Sequence, residues 1–281
     1  MNDFLPIGLD TTYLRIIREV LTRESQLNLI ILPESIALGA MRLDGSSSHT
    51  KPPERQTSRS AWDAQVHALL NDSKAAVVIG LDTVEQGQDH NTLVAWTREG
   101  TIGWYHKQGL VPFLEYIPAG WNRVAIRGQS QYSPGHDSQL IHVSPKLVLG
   151  GFICQEVLFP WVTRQSARDG ATVLVSGGND GVFADPAVAH IHADAAQLRA
   201  VETGRYLVRA MKTGISAVID PTGREAVRGE LSDAALLISQ ITPETAQTIY
   251  MYMRFGDWVV ALSALVCLGL GLSARGRRRQ S

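Results

Sequence analysis

An α/β fold, with strands and helices in alternation, is what this chain predicts, and three observations carry the prediction. Short apolar runs closed by turn residues recur: LNLIILPES (27–35), AAVVIGL (75–81), KLVLGGFIC (146–154) and ATVLVSGG (171–178) each read as a buried strand. Between them lie segments with apolar residues at helical spacing. Finally, three residues able to do chemistry, Glu34, Lys107 and Cys154, each fall at the end of such a run. In α/β sheets functional groups gather at the carboxyl ends of strands.

The elements follow in order. Residues 13–29 form an amphipathic helix, because Tyr13, Leu14, Ile17, Val20, Leu21 and Leu27 recur on one face. The strand after it stops at Pro33 and presents Glu34. Residues 42–60 are rich in Ser, Pro and Arg and read as a loop. A helix is expected over 61–71, strands over 75–81 and 92–97, a turn at Glu99-Gly100, and a strand over 102–107 that ends on Lys107. Residues 118–139 carry Gly, Pro, Ser and Gln and read as a long loop. The strand 146–154 ends on Cys154. A helix over 160–169, a strand over 171–178, a long helix over 187–211, a strand and turn over 214–223 and a late strand over 236–241 complete the expectation.

Composition excludes several function classes. The 281 residues are 44% hydrophobic and 19% charged, which fits one large globular domain. A formal net charge of -1 lacks the basic excess of a nucleic-acid binder. Two cysteines, Cys154 and Cys267, make neither a disulfide framework nor a cysteine-rich metal site. His190 and His192, two apart on a helix, do not share a face, so they read as polarity at a helix start rather than as metal ligands. Arg199, Glu202 and Arg205 read as ion pairs along that helix. Gly177 and Gly178 lack the spacing of a phosphate loop.

The N-terminus has no secretory signal pattern. From Trp258 to Ala274 the chain is uncharged, and Arg275 to Arg279 read RGRRR. This predicts a domain over 1–250, a transmembrane helix over 255–274 and a basic tail over 275–281. The tail favours a cytoplasmic C-terminus and so a domain on the far side of the membrane, which needs upstream membrane helices for export; the alternative is a domain that stays cytoplasmic against the charge rule.

The three strand-end residues suit nucleophilic catalysis. A cysteine attacks as its thiolate. Glu34 is placed to take the thiol proton, and Lys107 to stabilise thiolate and oxyanion, with the N–H of Gln155 as a further donor. Attack on a carbonyl gives a thioester, which water or an amine resolves.

The motifs around these residues carry a resemblance. LPES (32–35) resembles the glutamate motif of the nitrilase (carbon–nitrogen hydrolase) superfamily. HKQGLVPFLEYIP (106–118) and GGFICQEVLFP (150–160) are similar to its lysine and nucleophile motifs in the apolipoprotein N-acyltransferase branch. GNDGVF (178–183) resembles a downstream Asn-Asp segment, and 190–210 the long helix that follows. RFGDW (254–258) is similar to the start of the last membrane helix of the acyltransferases.

The resemblance implies a nitrilase-type αββα sandwich, dimeric in many soluble members, with no metal or organic cofactor. It makes Cys154 the nucleophile, Glu34 the base and Lys107 the oxyanion-stabilising lysine. Glu115, Gln155, Glu156 and Asn179 become supporting residues of the site. It implies an acyl donor, either phospholipid or amide, an amine or water acceptor, and a bacterial inner-membrane protein with its catalytic domain in the periplasm. An amidase acting on small amides is the alternative.

The sequence departs from the family pattern in places. Gln155 stands where an aromatic residue is usual, and Trp161 where an acid is usual. The loop after Glu115, with Trp121, Arg123 and Arg127, is shorter and more polar than the lipid-holding arms of the acyltransferases. Only Met1 to Asp10 precede the first helix, where the family has a strand. Plasmid conjugal-transfer proteins of the TraB type resemble the acyltransferases in this way, which adds a weakly active or inactive conjugation protein to the alternatives.

Overall fold

The computed structural model describes residues 11–24, 26–34, 40–48, 51, 56–70, 73–121, 131–183, 185–231, 236–243 and 250–278. Two six-stranded sheets pack face to face, with helices on both outer faces. The first sheet holds β1 (Leu29–Ile31), β2 (Ala40–Arg42), β3 (Gln56–Ser58), β4 (Ala76–Glu85), β5 (Gln88–Thr97) and β6 (Gly100–His106), in the order β3-β2-β4-β5-β6 with β1 also paired to β4. The second holds β7 (Ile141–Ser144), β8 (Leu147–Ile153), β9 (Val173–Gly178), β10 (Tyr206–Met211), β11 (Ala217–Ile219) and β12 (Glu225–Arg228), in the order β12-β11-β10-β9-β8-β7.

The layers follow from burial. Val78, Leu93, Ala95 and Tyr105 of the first sheet meet Leu149, Phe152, Val173, Val175 and Leu207 of the second in one core. On the far face of the first sheet, α1 (Thr11–Arg23) and α2 (Arg59–Leu70) bring Ile17, Trp62, Val66 and Leu70 against Val77, Ile79, Val94 and Trp96. The second sheet is covered by α3 (Pro160–Asp169) and α4 (Ala187–Thr203), which bring Val162, Ala196 and Ala200 into the core. Strands buried on both faces read as continuous apolar runs rather than alternating ones. That is why β4, β8 and β9 are legible in the sequence.

Several expectations are corrected. The strands at 75–81 and 92–97 are the visible parts of one long hairpin, β4–β5, whose turn residues Gln86 (φ 51°) and Gly87 (φ 77°) are both left-handed. Such a two-residue turn matches strand twist and needs positive φ twice. The helix expected over 187–211 stops at Thr203. Gly204 caps it at φ 59°, and Tyr206–Met211 become β10, parallel to β9. A glycine in this conformation ends a helix, and the YLV run that follows has strand preference. Arg205 is therefore no helix ion-pair member; it is buried and donates from Nε to the carbonyl of Ala171. Arg199 and Glu202 do pair, at 3.0 Å. Residues 236–241 form no strand. Within the expected loop 42–60, residues 56–58 are β3, and α2 begins at Arg59. Arg123 and Arg127 lie outside the described residues, as do Met1 to Asp10.

The C-terminal apolar run folds as a helix. After α5 (Met251–Phe255) comes α6 (Trp258–Arg278), with Val260, Leu262, Leu265, Leu268 and Leu270 exposed. Among the described residues no helix is long and apolar enough to cross a membrane. The uncharged stretch Trp258–Ala274 has 17 residues. At about 1.5 Å per residue it falls short of a hydrocarbon core of about 30 Å. The expected transmembrane helix is thus a helix, but not one shown to span.

Candidate active site

Glu34, Lys107 and Cys154 meet between the two sheets at the ends of β1, β6 and β8. Glu34 follows Pro33, whose carbonyl accepts from the N–H of Gly80 at 3.3 Å. A Cβ on Gly80 would lie 2.7 Å from Cα of Glu34, so glycine is what lets the chain bring Glu34 over the sheet edge. Lys107 follows β6, its N–H bonded to the carbonyl of Asn91 at 2.8 Å. Its side chain is 1% exposed, and Nζ donates to Oε1 of Glu115 at 2.8 Å. Glu115 also accepts from the N–H of Val111 at 2.7 Å.

Asn91 joins these groups. Its Nδ2 donates to Oε1 of Glu34 at 2.6 Å and to Oε1 of Glu115 at 3.1 Å. A continuous network therefore runs Glu34–Asn91–Glu115–Lys107. The loop 131–139 closes over it, with the N–H of Tyr132 on the carbonyl of Glu115 (2.9 Å) and that of Gly135 on the carbonyl of Lys107 (2.8 Å).

Cys154 is held differently. It opens the 3-10 turn Cys154–Leu158 with φ 53°, a left-handed backbone that a non-glycine residue adopts at a cost of about 1–3 kcal/mol. Glu156, two residues on, holds the strained turn. Its Oε2 accepts from the N–H of Ile153 (2.7 Å), and its Oε1 from the N–H groups of Gln108 (2.7 Å) and Gly109 (2.8 Å). The Tyr105 hydroxyl donates to the same carboxylate at 3.0 Å. One buried carboxylate thus ties the strand that ends at Cys154 to the residues right after Lys107. Gln155 adds a bond of 3.3 Å from Nε2 to the carbonyl of Gly109.

The electrostatics follow from burial. Burial pushes the Cys154 thiol up to about 12, and the Glu34 carboxylate adds to this, while Lys107 and the N–H of Asn179 pull the other way. Burial raises Glu34 above the ordinary carboxyl value, opposed by Lys107 and by the Asn91 bond and reinforced by Glu115 and Asp82. Burial works against the Lys107 cation, yet Glu115, Glu34 and Cys154 together outweigh it, so its pKa is raised and the ammonium persists. Burial carries Glu156 up to about 7 against its backbone N–H partners. A thiol so high does not ionise by itself near neutrality. It needs a base beside it that takes the proton as sulfur attacks.

Sequence reasoning missed part of the site. Asn91 falls one residue before the strand expected over 92–97 and lies inside β5. Behind Cys154 lies a buried cluster of Asp180, His192 and Arg209, none of them assigned a role from the sequence. His192 is 1% exposed and bonds to Asp180 Oδ1 at 2.8 Å, which corrects its reading as helix-start polarity; His190 is exposed as expected. The backbone N–H of Asn179 favours the ionised form of the Cys154 thiol, while its Oδ1 accepts from the Thr213 hydroxyl. Among the described residues no group of His, Cys, Asp and Glu is arranged to hold a metal ion.

A cysteine in a left-handed turn faces a buried carboxylate–lysine network across an α/β/β/α sandwich, and the class to which the chain belongs is that of enzymes acting on carbon–nitrogen bonds. The carbon-nitrogen hydrolase family model matches residues 11–250, and the chain belongs to this family. Apolipoprotein N-acyltransferase of Pseudomonas syringae pv. tomato is 28% identical over 98% of this chain and 50% of its own length. The protein of that name from Gloeobacter violaceus is 38% identical over 68% of this chain and 38% of its own length. The chain therefore spans half or less of the length of these relatives. Among solved structures, Saccharomyces cerevisiae Nit3, of the nitrilase superfamily, superposes with a TM-score of 0.56 at 19% identity over 77% of this chain and 78% of its own. An amidase from Nesterenkonia does so with a TM-score of 0.56 at 20% identity over 80% of this chain and 82% of its own. At that identity the likeness establishes the nitrilase-type sandwich fold.

Proposed function

We propose that the chain is an N-acyltransferase-like enzyme that takes an acyl group onto Cys154 as a thioester and passes it to an amine. The network Glu34–Asn91–Glu115–Lys107 facing the strained Cys154 carries this reading. Glu34 accepts the thiol proton while sulfur attacks the acyl carbonyl. Lys107 Nζ and the N–H of Gln155 stabilise the oxyanion. Collapse releases the donor's alcohol or amine, which takes the proton back from Glu34. The acceptor amine then attacks the thioester, Glu34 taking its proton, and the amide leaves with Cys154 restored as a thiol.

The relatives' name supports an acyl donor and an amine acceptor; a phospholipid is the donor this reading takes. The exposed apolar residues of α6 support membrane attachment without requiring that the helix cross. In this reading the protein sits at the bacterial inner membrane with its catalytic domain in the periplasm.

Intact mass spectrometry of the purified chain in detergent tests the reading. Incubation with phospholipid is expected to add one fatty acyl chain, labile to hydroxylamine and absent in Cys154→Ala. An adduct formed from small amides and not from phospholipid would replace the transferase by an amidase. No adduct from either, with Cys154 open to alkylation, would favour the conjugal-transfer alternative without catalysis.

A further inference from the structure

The buried cluster on the second sheet has no part in the chemistry above, yet it touches the nucleophile's surroundings. Asp180 opens the turn Asp180–Val182 just after β9, and Arg209 lies on the neighbouring strand β10. Arg209 is 2% exposed, and its Nη2 donates to Oδ2 of Asp180 at 2.9 Å. Its remaining nitrogens are also used: Nε donates to the carbonyl of Ile215 (3.0 Å) and Nη1 to that of His192 (3.2 Å). Asp180, 5% exposed, has its second oxygen on His192. Three elements, β10, α4 and the segment before β11, are therefore joined by one ion pair, Asp180 with Arg209.

That carboxylate is one residue from Asn179, whose backbone N–H favours the ionised form of the Cys154 thiol against which this segment packs. The backbone around it is fixed on both sides. The N–H of Asp180 bonds to the carbonyl of Thr213 at 3.0 Å, that of Lys212 to the carbonyl of Gly178 at 2.9 Å, and the Thr213 hydroxyl meets both the N–H of Gly181 and Oδ1 of Asn179. A Cβ on Gly214 would lie 2.5 Å from Oδ2 of Asp180, and one on Gly178 would lie 3.2 Å from Cα of Cys154.

A buried ion pair is a doubtful source of stability, because desolvation offsets its attraction. Its use here is geometric. We propose that Arg209, acting through Asp180, is a positioning residue for Cys154: it sets the direction of the Asn179 N–H that the sulfur receives as it becomes a thiolate. Arg209 touches neither sulfur nor substrate. It aligns a fixed dipole with a charge that exists only during reaction, where hydrogen bonds to ionised groups are strongest. The charged groups around the thiol are Glu34 and Lys107 from the first sheet and Asp180 and Arg209 from the second. This inference rests on Cys154 being the nucleophile.

The test is the alkylation rate of Cys154 by iodoacetamide across pH, mapped by peptide mass, with the exposed Cys267 as the internal reference. Arg209→Met is expected to slow Cys154 about tenfold relative to Cys267 and to move its pH profile upward. Arg209→Lys keeps a cation for Asp180 and is expected to recover part of the rate. Arg209→Met leaves a buried carboxylate alone and risks misfolding, so Asp180→Asn with Arg209→Met removes both charges together. That double variant is expected to melt near the wild type yet alkylate as slowly as Arg209→Met. Wild-type alkylation in a folded double variant would overturn the proposal and leave the pair a purely structural one. If wild-type protein forms an acyl adduct that Cys154→Ala still forms, the nucleophile assignment fails instead, and the two failures are told apart.

Discussion

The two sides of the active site are built in opposite ways. On the first sheet, Glu34, Asn91, Glu115 and Lys107 hold one another side chain to side chain. On the second, Cys154 is held through backbone: a left-handed φ, a carboxylate that gathers N–H groups from residues 108, 109 and 153, and the N–H of Asn179. The difference assigns labour. The side-chain half can move protons and charge without moving the chain. The backbone half keeps one atom in place. Substitutions on the first side should alter rate and pH dependence directly, and those on the second should act through how the sulfur is held, by the turn at Glu156 or by the segment around Asn179.

The largest effect should come from Glu34→Gln. The amide keeps an acceptor for Asn91 but cannot take a proton, so acyl-enzyme formation should fall about 10²–10⁴-fold, read by quench-flow mass spectrometry. The pH profile sharpens this. Glu34 works as a base only when ionised, and burial raises its pKa above the ordinary carboxyl range. The wild-type rate should therefore climb with pH through that raised value, and the limb should vanish in Glu34→Gln. A limb that survives would move the base elsewhere.

Lys107→Met should cost about 10²–10³-fold in acylation, the scale for losing one oxyanion donor. Glu115 is left buried without its cation, so the melting temperature should fall as well. If melting falls while the residual folded fraction keeps its rate, Lys107 is structural.

On the backbone side, Glu156→Gln should act on stability first. In either orientation the amide NH₂ meets at least one backbone donor, Ile153 or the pair Gln108 and Gly109. A buried N–H left without an acceptor costs about 1–3 kcal/mol, to be read by urea titration. An unchanged midpoint would deny that Glu156 holds the turn. The smallest effect belongs to Asn91→Ala, which removes two bonds within the side-chain network. It should cost about tenfold in rate through a looser Glu34, at about 1–2 kcal/mol of stability.

How much of this was legible depends on distance along the chain. Glu34, Lys107 and Cys154 could be read because each ends a strand whose apolar run is local. The α/β class followed from the same runs, whereas the αββα sandwich followed only from the resemblance of the motifs. β10 could not be read as a strand: its residues continue a helical sequence, and the choice is made at Gly204 and by pairing with Val173–Gly178, far off in sequence. The β4–β5 turn escaped because Gln86-Gly87 is an uncommon pair for two left-handed residues. Asn91 meets Glu34 across 57 positions, and Arg209 meets Asp180 across 29. No local pattern announces such pairs. The apolar run at 258–274 announced a span, yet length and apolarity together fall short.

The central claim is that Cys154 is the acylated atom and that the opposite sheet drives its acylation. Peptide mapping of the protein after brief exposure to phospholipid tests it most directly. The account predicts one acylated peptide, containing Cys154, whose yield drops sharply in Glu34→Gln and Lys107→Met. Acylation at Cys267 instead, or at Cys154 to the same extent in all three proteins, would contradict it.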